Sequence, residues 1–180
     1  MLLTDTRCAQ LGAKILRQHA MAVDDVHATD IRQTIDIMQQ IMMDTHGVGI
    51  AAPQVNVSKR IIIVASRPTK RYPYAPLMAP TVMINPSFQV LSDTKEKGWE
   101  GCLSIPAIRA LVPRYQAITT QYTDLQGILR TLNLDGFVAR IFQHECDHLD
   151  GKLFLDRVED NGDIISESEY YKLTAKLSAG

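Results

Sequence analysis

The stretch Phe-Gln-His-Glu-Cys-Asp-His-Leu-Asp-Gly, residues 142–151, places His144 and His148 four positions apart with Glu145 beside the first. On a helix that spacing puts both imidazoles on one face, within reach of a single metal ion. A carboxylate next to the first ligand can accept a proton from a water whose pKa such an ion lowers to about 7. Phe137, Ile141, His144 and His148 share one stripe, which turns the histidines toward the interior. Cys146 stands two positions from His144, about 200° around a helix, and is expected to pack rather than to bind. Asp147 is expected to orient a ligand or anchor the helix, since metal-bound imidazoles usually hydrogen-bond outward.

Two imidazoles do not complete a site, and the chain offers more than one third ligand. A further histidine shortly after Gly151 would serve, but Phe154 holds that position. A glutamate from a later helix would also serve. Glu167 and Glu169 in "SESEYYK" have suitable spacing, and Glu167 would make the chain a zinc endopeptidase. Upstream, Cys102 in "WEGCLSIP", residues 99–106, could close a tetrahedral Cys-His-His site with one open position. A free cysteine is also a common small buried residue. On residue types alone, both sources stay open.

These side chains need elements to hold them. Ile31, Ile35, Met38, Ile41 and Met42 recur at helical spacing and predict an amphipathic helix over 29–45, capped by Thr29 or Asp30 and ended by Gly47. "RIIIVAS" at 60–66 predicts a buried strand, and "TVMIN" at 81–85 a second that Pro86 ends. Segments 117–124 and 128–134 alternate around "LQG" as a hairpin does. A helix over about 136–149 carries the histidines, and a polar segment follows from about 157, with a short helix near 167–176. The proline-rich, basic stretch 67–80 predicts a solvated loop, with a partner-contact surface as the sharper reading. The pattern predicts one α+β domain over residues 1–180, in which antiparallel strands pack around the central helix bearing the motif, with the amphipathic helix near the N-terminus.

Composition narrows the functional classes. Hydrophobic residues make up 46% and charged residues 22%, an ordinary globular balance. A formal charge of −1 argues against direct nucleic-acid binding. The longest apolar run, "IIIVA", is too short for a membrane span, and "MLLTDTRCAQLGAK" lacks a signal-peptide core. The expected location is the cytoplasm, with no membrane partner. Three cysteines without an export signal argue against a disulfide framework. "GVGIAA" fits a dinucleotide fingerprint only superficially, since a helix precedes it and Pro53 follows.

"GVGIAAPQ" at 47–54, "EGCLS" at 100–104 and "QHECDHLDG" at 143–151 resemble the three signature motifs of bacterial-type peptide deformylases, in the family's order. The stretch from about Leu11 to Arg157 is compatible with that family throughout. The resemblance implies metal-dependent removal of the formyl group from the N-terminal methionine of new proteins, releasing formate. It assigns Cys102, His144 and His148 as ligands of one divalent ion, ferrous iron in the cell, with zinc, nickel or cobalt as substitutes. Glu145 becomes the general acid/base, and Gln54 with the Leu103 N–H stabilises the oxyanion. The implied partners are a formyl-methionyl peptide or nascent-chain N-terminus and, with it, the ribosome.

For substrate binding, Gly47 and Gly49 allow close backbone approach to an extended ligand, and the segment through Val48 and Ile50 offers a strand edge to a peptide. Phe137 and Ile141 are expected to wall the methionine side chain, with Val48 or Ile50 opposite. Arg140 is expected at the pocket rim or on peptide carbonyls. Arg109 and Arg114 are expected to steady the substrate or to pair with Glu100, which reads as structural. "LGAKILR" departs from the family's Asp-Pro pair near the N-terminus, and Pro53 occupies a position where the family varies; both bear on local loop geometry only.

Overall fold

The structure, a computed structural model, describes residues 8–68 and 75–177, with side chains to residue 175. The predicted contact loop at 67–80 therefore lies partly outside the described residues, as does the first half of the N-terminal segment read for a signal.

Strand β2 (Ile61–Ser66) is buried along its whole length. Ile61, Ile63 and Ala65 face helix α1 (Thr29–Thr45), while Ile62 and Val64 face helix α2 (Gly136–Leu149). A strand covered on both sides must be apolar at every position, which is why "IIIVA" shows no alternation. Around it runs a five-stranded sheet in the order β1-β2-β3-β6-β7, with β1 Gly49–Ala51, β3 Met78–Val90, β6 Ala117–Thr123 and β7 Leu129–Asp135. A second sheet pairs β4 (Lys95–Cys102) with β5 (Ile105–Tyr115) and β5 with β8 (Ile164–Ser166). All these pairings are antiparallel. With helix α3 (Glu167–Leu177), the described residues form a mixed fold of antiparallel sheets and three helices.

Several boundaries differ from expectation. Helix α1 ends at His46, whose φ of 52° supplies the left-handed turn assigned to Gly47. Its N-cap is Ala28, without a side-chain cap, rather than Thr29 or Asp30. Strand β3 runs through Pro86, and the ladder to β6 shifts register between Ile84 and Ser87. A residue without an N–H is tolerated at such an irregularity. Strand β4 carries no strand signal in the sequence, because "KEKGWEGC" shows little alternation.

Among the described residues, no helix is long and apolar enough to cross a membrane.

Candidate metal centre and substrate cleft

Helix α2 starts after Asp135, directly from strand β7, and Val138, Ala139, Phe142 and Leu149 fix it against the large sheet. That packing leaves His144 and His148 pointing at the turn between β4 and β5. There, Cys102 ends its strand, and one ligand atom from each of Cys102, His144 and His148 lies within 4.8 Å of the others. Cys102 Sγ is 3.3 Å from His148 Nε2. Among the described residues this is the one group of donors so arranged. Glu167 is elsewhere, its carboxylate accepting from the Arg109 guanidinium, so the endopeptidase arrangement with Glu167 as third ligand is set aside.

The donors are prepared for an ion. Glu100 Oε2 accepts from His144 Nδ1 at 2.8 Å, which leaves Nε2 with its lone pair for the metal. Burial opposes ionisation of Cys102, but His148 and His144 beside it hold the thiol well below its ordinary value. His148 Nδ1 is buried without a hydrogen-bond partner. A thiolate and two imidazoles in a tight triangle at the cleft form a donor set that fits zinc, iron, nickel or cobalt.

Behind the histidines lies an ion-pair network. Arg114 donates to both oxygens of Glu100, at 2.9 and 3.0 Å, and to Asp147. Arg157 also donates to Asp147, at 2.6 and 3.1 Å. Asp147 thus anchors the helix through two arginines. Orientation of a ligand falls to Glu100, which residue type alone had marked as merely structural. The missed signal was its place on β4, two positions before Cys102, where the ladder to β5 shifts register.

Beside the donors, with Cys102, His144 and Glu100 at its wall, a cavity of about 1080 Å³ opens, lined among others by Val48, Gln54, Leu103, Phe137, Ile141 and Glu145. Burial raises the Glu145 carboxyl to about 7, against the pull of the nearby imidazoles, and its Oε2 has no partner. The Gln54 side chain is held at both ends. Its Oε1 accepts from the Ala51 N–H at 2.9 Å, and its Nε2 reaches Ser104 Oγ at 3.2 Å and Cys102 Sγ at 3.4 Å. Leu103 occupies the turn joining Cys102 and Ile105, outside the ladder. The segment 9–11 ties the two loops together: Ala9 N–H donates to Gln54 O, Leu11 N–H to Ser104 O, and Gln10 Nε2 to Leu103 O. Neither Ser104 nor Gln10 was marked by the sequence.

Other expectations are redrawn. Gly49 borders the cavity, but the space its missing side chain leaves is taken from within: a Cβ there would sit 2.3 Å from Glu145 Oε1. Gly47 and Val48 line the cavity beside it, whereas Ile50 is fully buried against α1 and cannot face a ligand. Arg140 borders the cavity, yet its guanidinium donates to Glu96 O, Val112 O, Gly98 O and Glu100 Oε1, so it holds the second sheet instead of peptide carbonyls. Arg109 borders the cavity as well, but pairs with Glu167, not Glu100. Cys146 is buried in the α2 core, and burial pushes its thiol up.

Taken together, donors, carboxylate and cleft define the class of a metal-dependent hydrolase. The chain belongs to the polypeptide deformylase family, whose sequence profile matches residues 6–163. Members of that family remove the N-formyl group from nascent polypeptides. The chain is 55% identical to peptide deformylase 2 of a Nostoc species over 93% of each chain. It is 47% identical to peptide deformylase 2 of Shewanella oneidensis, covering 83% of this chain and 82% of that one. Among solved structures, it resembles the Met-Ala-Ser-bound class I type b peptide deformylase of Acinetobacter baumannii. That match has a TM-score of 0.81 and 45% identity, and covers 84% of this chain and 96% of that one. It also resembles the Synechococcus elongatus peptide deformylase in complex with actinonin, at a TM-score of 0.76 and 38% identity, covering 87% and 80%.

Proposed function

We propose that residues 1–180 form one metallo-hydrolase domain that deformylates the N-terminal formyl-methionine of new chains with Cys102, His144 and His148 as ligands of a single divalent ion. The observation that carries this is the donor triangle of a half-buried thiol and two buried imidazoles, its ligand atoms within 4.8 Å, with the Glu145 carboxylate facing the cleft beside it. Ferrous iron is the ion proposed, with zinc, nickel or cobalt as substitutes; a thiolate with two imidazoles accepts all four. When bound, such an ion polarises a carbonyl and acidifies water.

The remaining chemistry belongs to the chain. Glu145 accepts the proton of the attacking water and passes it to the departing amine, so that formate and a free N-terminus result. A carboxyl poised near the working pH suits both transfers. Gln54 donates from Nε2 to the charge that develops on the formyl oxygen, and the Leu103 N–H assists. The Ala51 N–H, held by Gln54 Oε1, keeps the amide in the donating orientation. Phe137, Ile141 and Val48 form the apolar wall for the methionine side chain. Strand β1 lies at the sheet edge, so a peptide can extend that sheet.

The substrate is the formyl-methionyl peptide or nascent chain, met at the ribosome in the cytoplasm, where translation supplies it. The test is formate release from formyl-Met-Ala-Ser by protein prepared with iron under exclusion of oxygen, beside Cys102→Ser. Rapid release by the parent and none by the variant is expected. A folded, metal-loaded parent that releases no formate overturns the reading.

A further inference from the structure

One wall of the cleft is built by a segment that follows the family match. That match stops at residue 163, yet Glu167 and Tyr171 of α3 line the same cavity as Gln54 and Glu145. Helix α3 is seated firmly. Strand β8, immediately before it, pairs Ile165 with Arg109 and Ser166 with Ile108. Tyr170 is buried with its ring 5.6 Å from the Trp99 ring, and the Arg109 guanidinium lies over it at 5.6 Å. The Glu167 carboxylate accepts from Arg109, and both side chains are buried.

Arg109 itself is shaped to this place. It lies across Gly101, where a Cβ would stand 1.8 Å from Nη1, so position 101 must lack a side chain for Arg109 to reach Glu167. Its Nε is buried without a partner at the cavity wall. The Tyr171 hydroxyl reaches Glu167 Oε1 at 3.4 Å, while the residue keeps 47% of its surface exposed. An exposed aromatic ring, steadied from behind by a neutralised ion pair, offers an apolar face rather than a charge.

We propose that α3 is a wall of the substrate cleft, and that Tyr171, positioned by the Arg109–Glu167 pair, contacts the residues after the formyl-methionine and favours a large apolar side chain there. This rests on the deformylase reading. Glu167 is a positioning residue in this scheme, and Tyr171 is the contact.

The test compares kcat/KM for formate release from formyl-Met-Ala-Phe and formyl-Met-Phe-Ser with that from formyl-Met-Ala-Ser, using the iron-loaded full chain. The parent is expected to prefer a phenylalanine peptide. Tyr171→Ala is expected to lower that preference about three- to tenfold, the worth of one apolar contact in a pocket, and Tyr171→Phe to keep it. Glu167→Gln is expected to lower it too; should that variant fail to fold, the exposed Tyr171 carries the test alone. A parent without preference, or one whose preference survives Tyr171→Ala, overturns the proposal. Release from none of the three peptides strikes the deformylase reading instead.

Discussion

The two sides of helix α2 are built differently. Behind His144, the buried Glu100, Arg114 and Asp147 form a network of ion pairs that the half-buried Arg140 and the exposed Arg157 extend. In front, the cleft-lining residues Glu145 and Arg109 each keep a buried polar atom without a partner. An unsatisfied buried polar atom costs about 1–3 kcal/mol, and at the cleft a bound group can offset that cost. Behind the site the carboxylates and guanidiniums satisfy one another and His148 Nδ1 alone of the site's atoms there lacks a partner, while the front is left for metal, water and peptide. Substitutions should separate accordingly: front variants lose rate, back variants lose metal retention and stability.

Glu145→Gln should give the largest loss, about 10²–10⁴-fold in kcat, with metal content unchanged. The parent should lose activity as pH falls, since only the ionised carboxylate accepts a proton. The group sits near 7 without an ion, and a bound cation favours the ionised form, so the acid limb of kcat/KM should fall below 7. A pH profile of the iron-loaded protein, with metal analysis of the variant, checks both. A variant that retains full rate would place the proton transfer elsewhere.

Gln54→Ala should cost about 10²–10³-fold in kcat, the usual worth of one oxyanion donor. Steady-state kinetics should show kcat falling with little change in KM. A rise in KM alone would make Gln54 a binding residue only. Because Nε2 is also near Cys102 Sγ, metal content must be measured beside the rate.

Glu100→Gln tests the back. Metal affinity should drop about 10–100-fold, as for other carboxylates that orient a ligating imidazole. Burial opposes ionisation of Glu100, but Arg114 and His144 hold its carboxyl well below the usual carboxylate range. A depressed folded-state value stabilises the fold above the ordinary value of 4.5, and that contribution is lost as pH falls through the folded-state value. The stability gap between parent and variant should therefore be full near neutrality and shrink in acid. Chemical denaturation at several pH values, alongside a chelator titration, reads both effects.

The same front-and-back division explains what was legible in the sequence. Front residues declare themselves by chemistry: His144, Glu145, His148 and Gln54 stand in short motifs, and periodicity located α1, α2, β2 and the β6–β7 hairpin. The back depends on residues from β4, β5 and α2 meeting in space: the Arg114–Glu100 pair was among the expected ones, but no local pattern couples Glu100 to His144 or Arg140, or Arg114 to Asp147. Arginine placement was accordingly the weakest reading. A long cationic side chain near a pocket suggests substrate, but Arg140 and Arg109 reach back to their own chain. Strand β4 was missed because charges and glycines replace the usual alternation, and those glycines leave room for the arginines that cross it.

Arg140→Lys should have the smallest effect and sharpens the division most. Arg140 sits at the border, lining the cleft while bonding backward to three carbonyls of β4 and β5, Glu96 O, Gly98 O and Val112 O, and to Glu100. A lysine keeps the charge but cannot reach all four acceptors, because its ammonium is a single point where the guanidinium is a planar fork. Losing one or two such bonds should cost about 1–3 kcal/mol of stability. If the side chain serves the fold, thermal denaturation shifts down while KM for formyl-Met-Ala-Ser holds at the parent value. If it binds peptide carbonyls, KM rises and the melting temperature stays. The outcome also bears on Glu100: with Arg140 weakened, Arg114 remains to hold that carboxylate on His144, so metal retention should fall less than in Glu100→Gln.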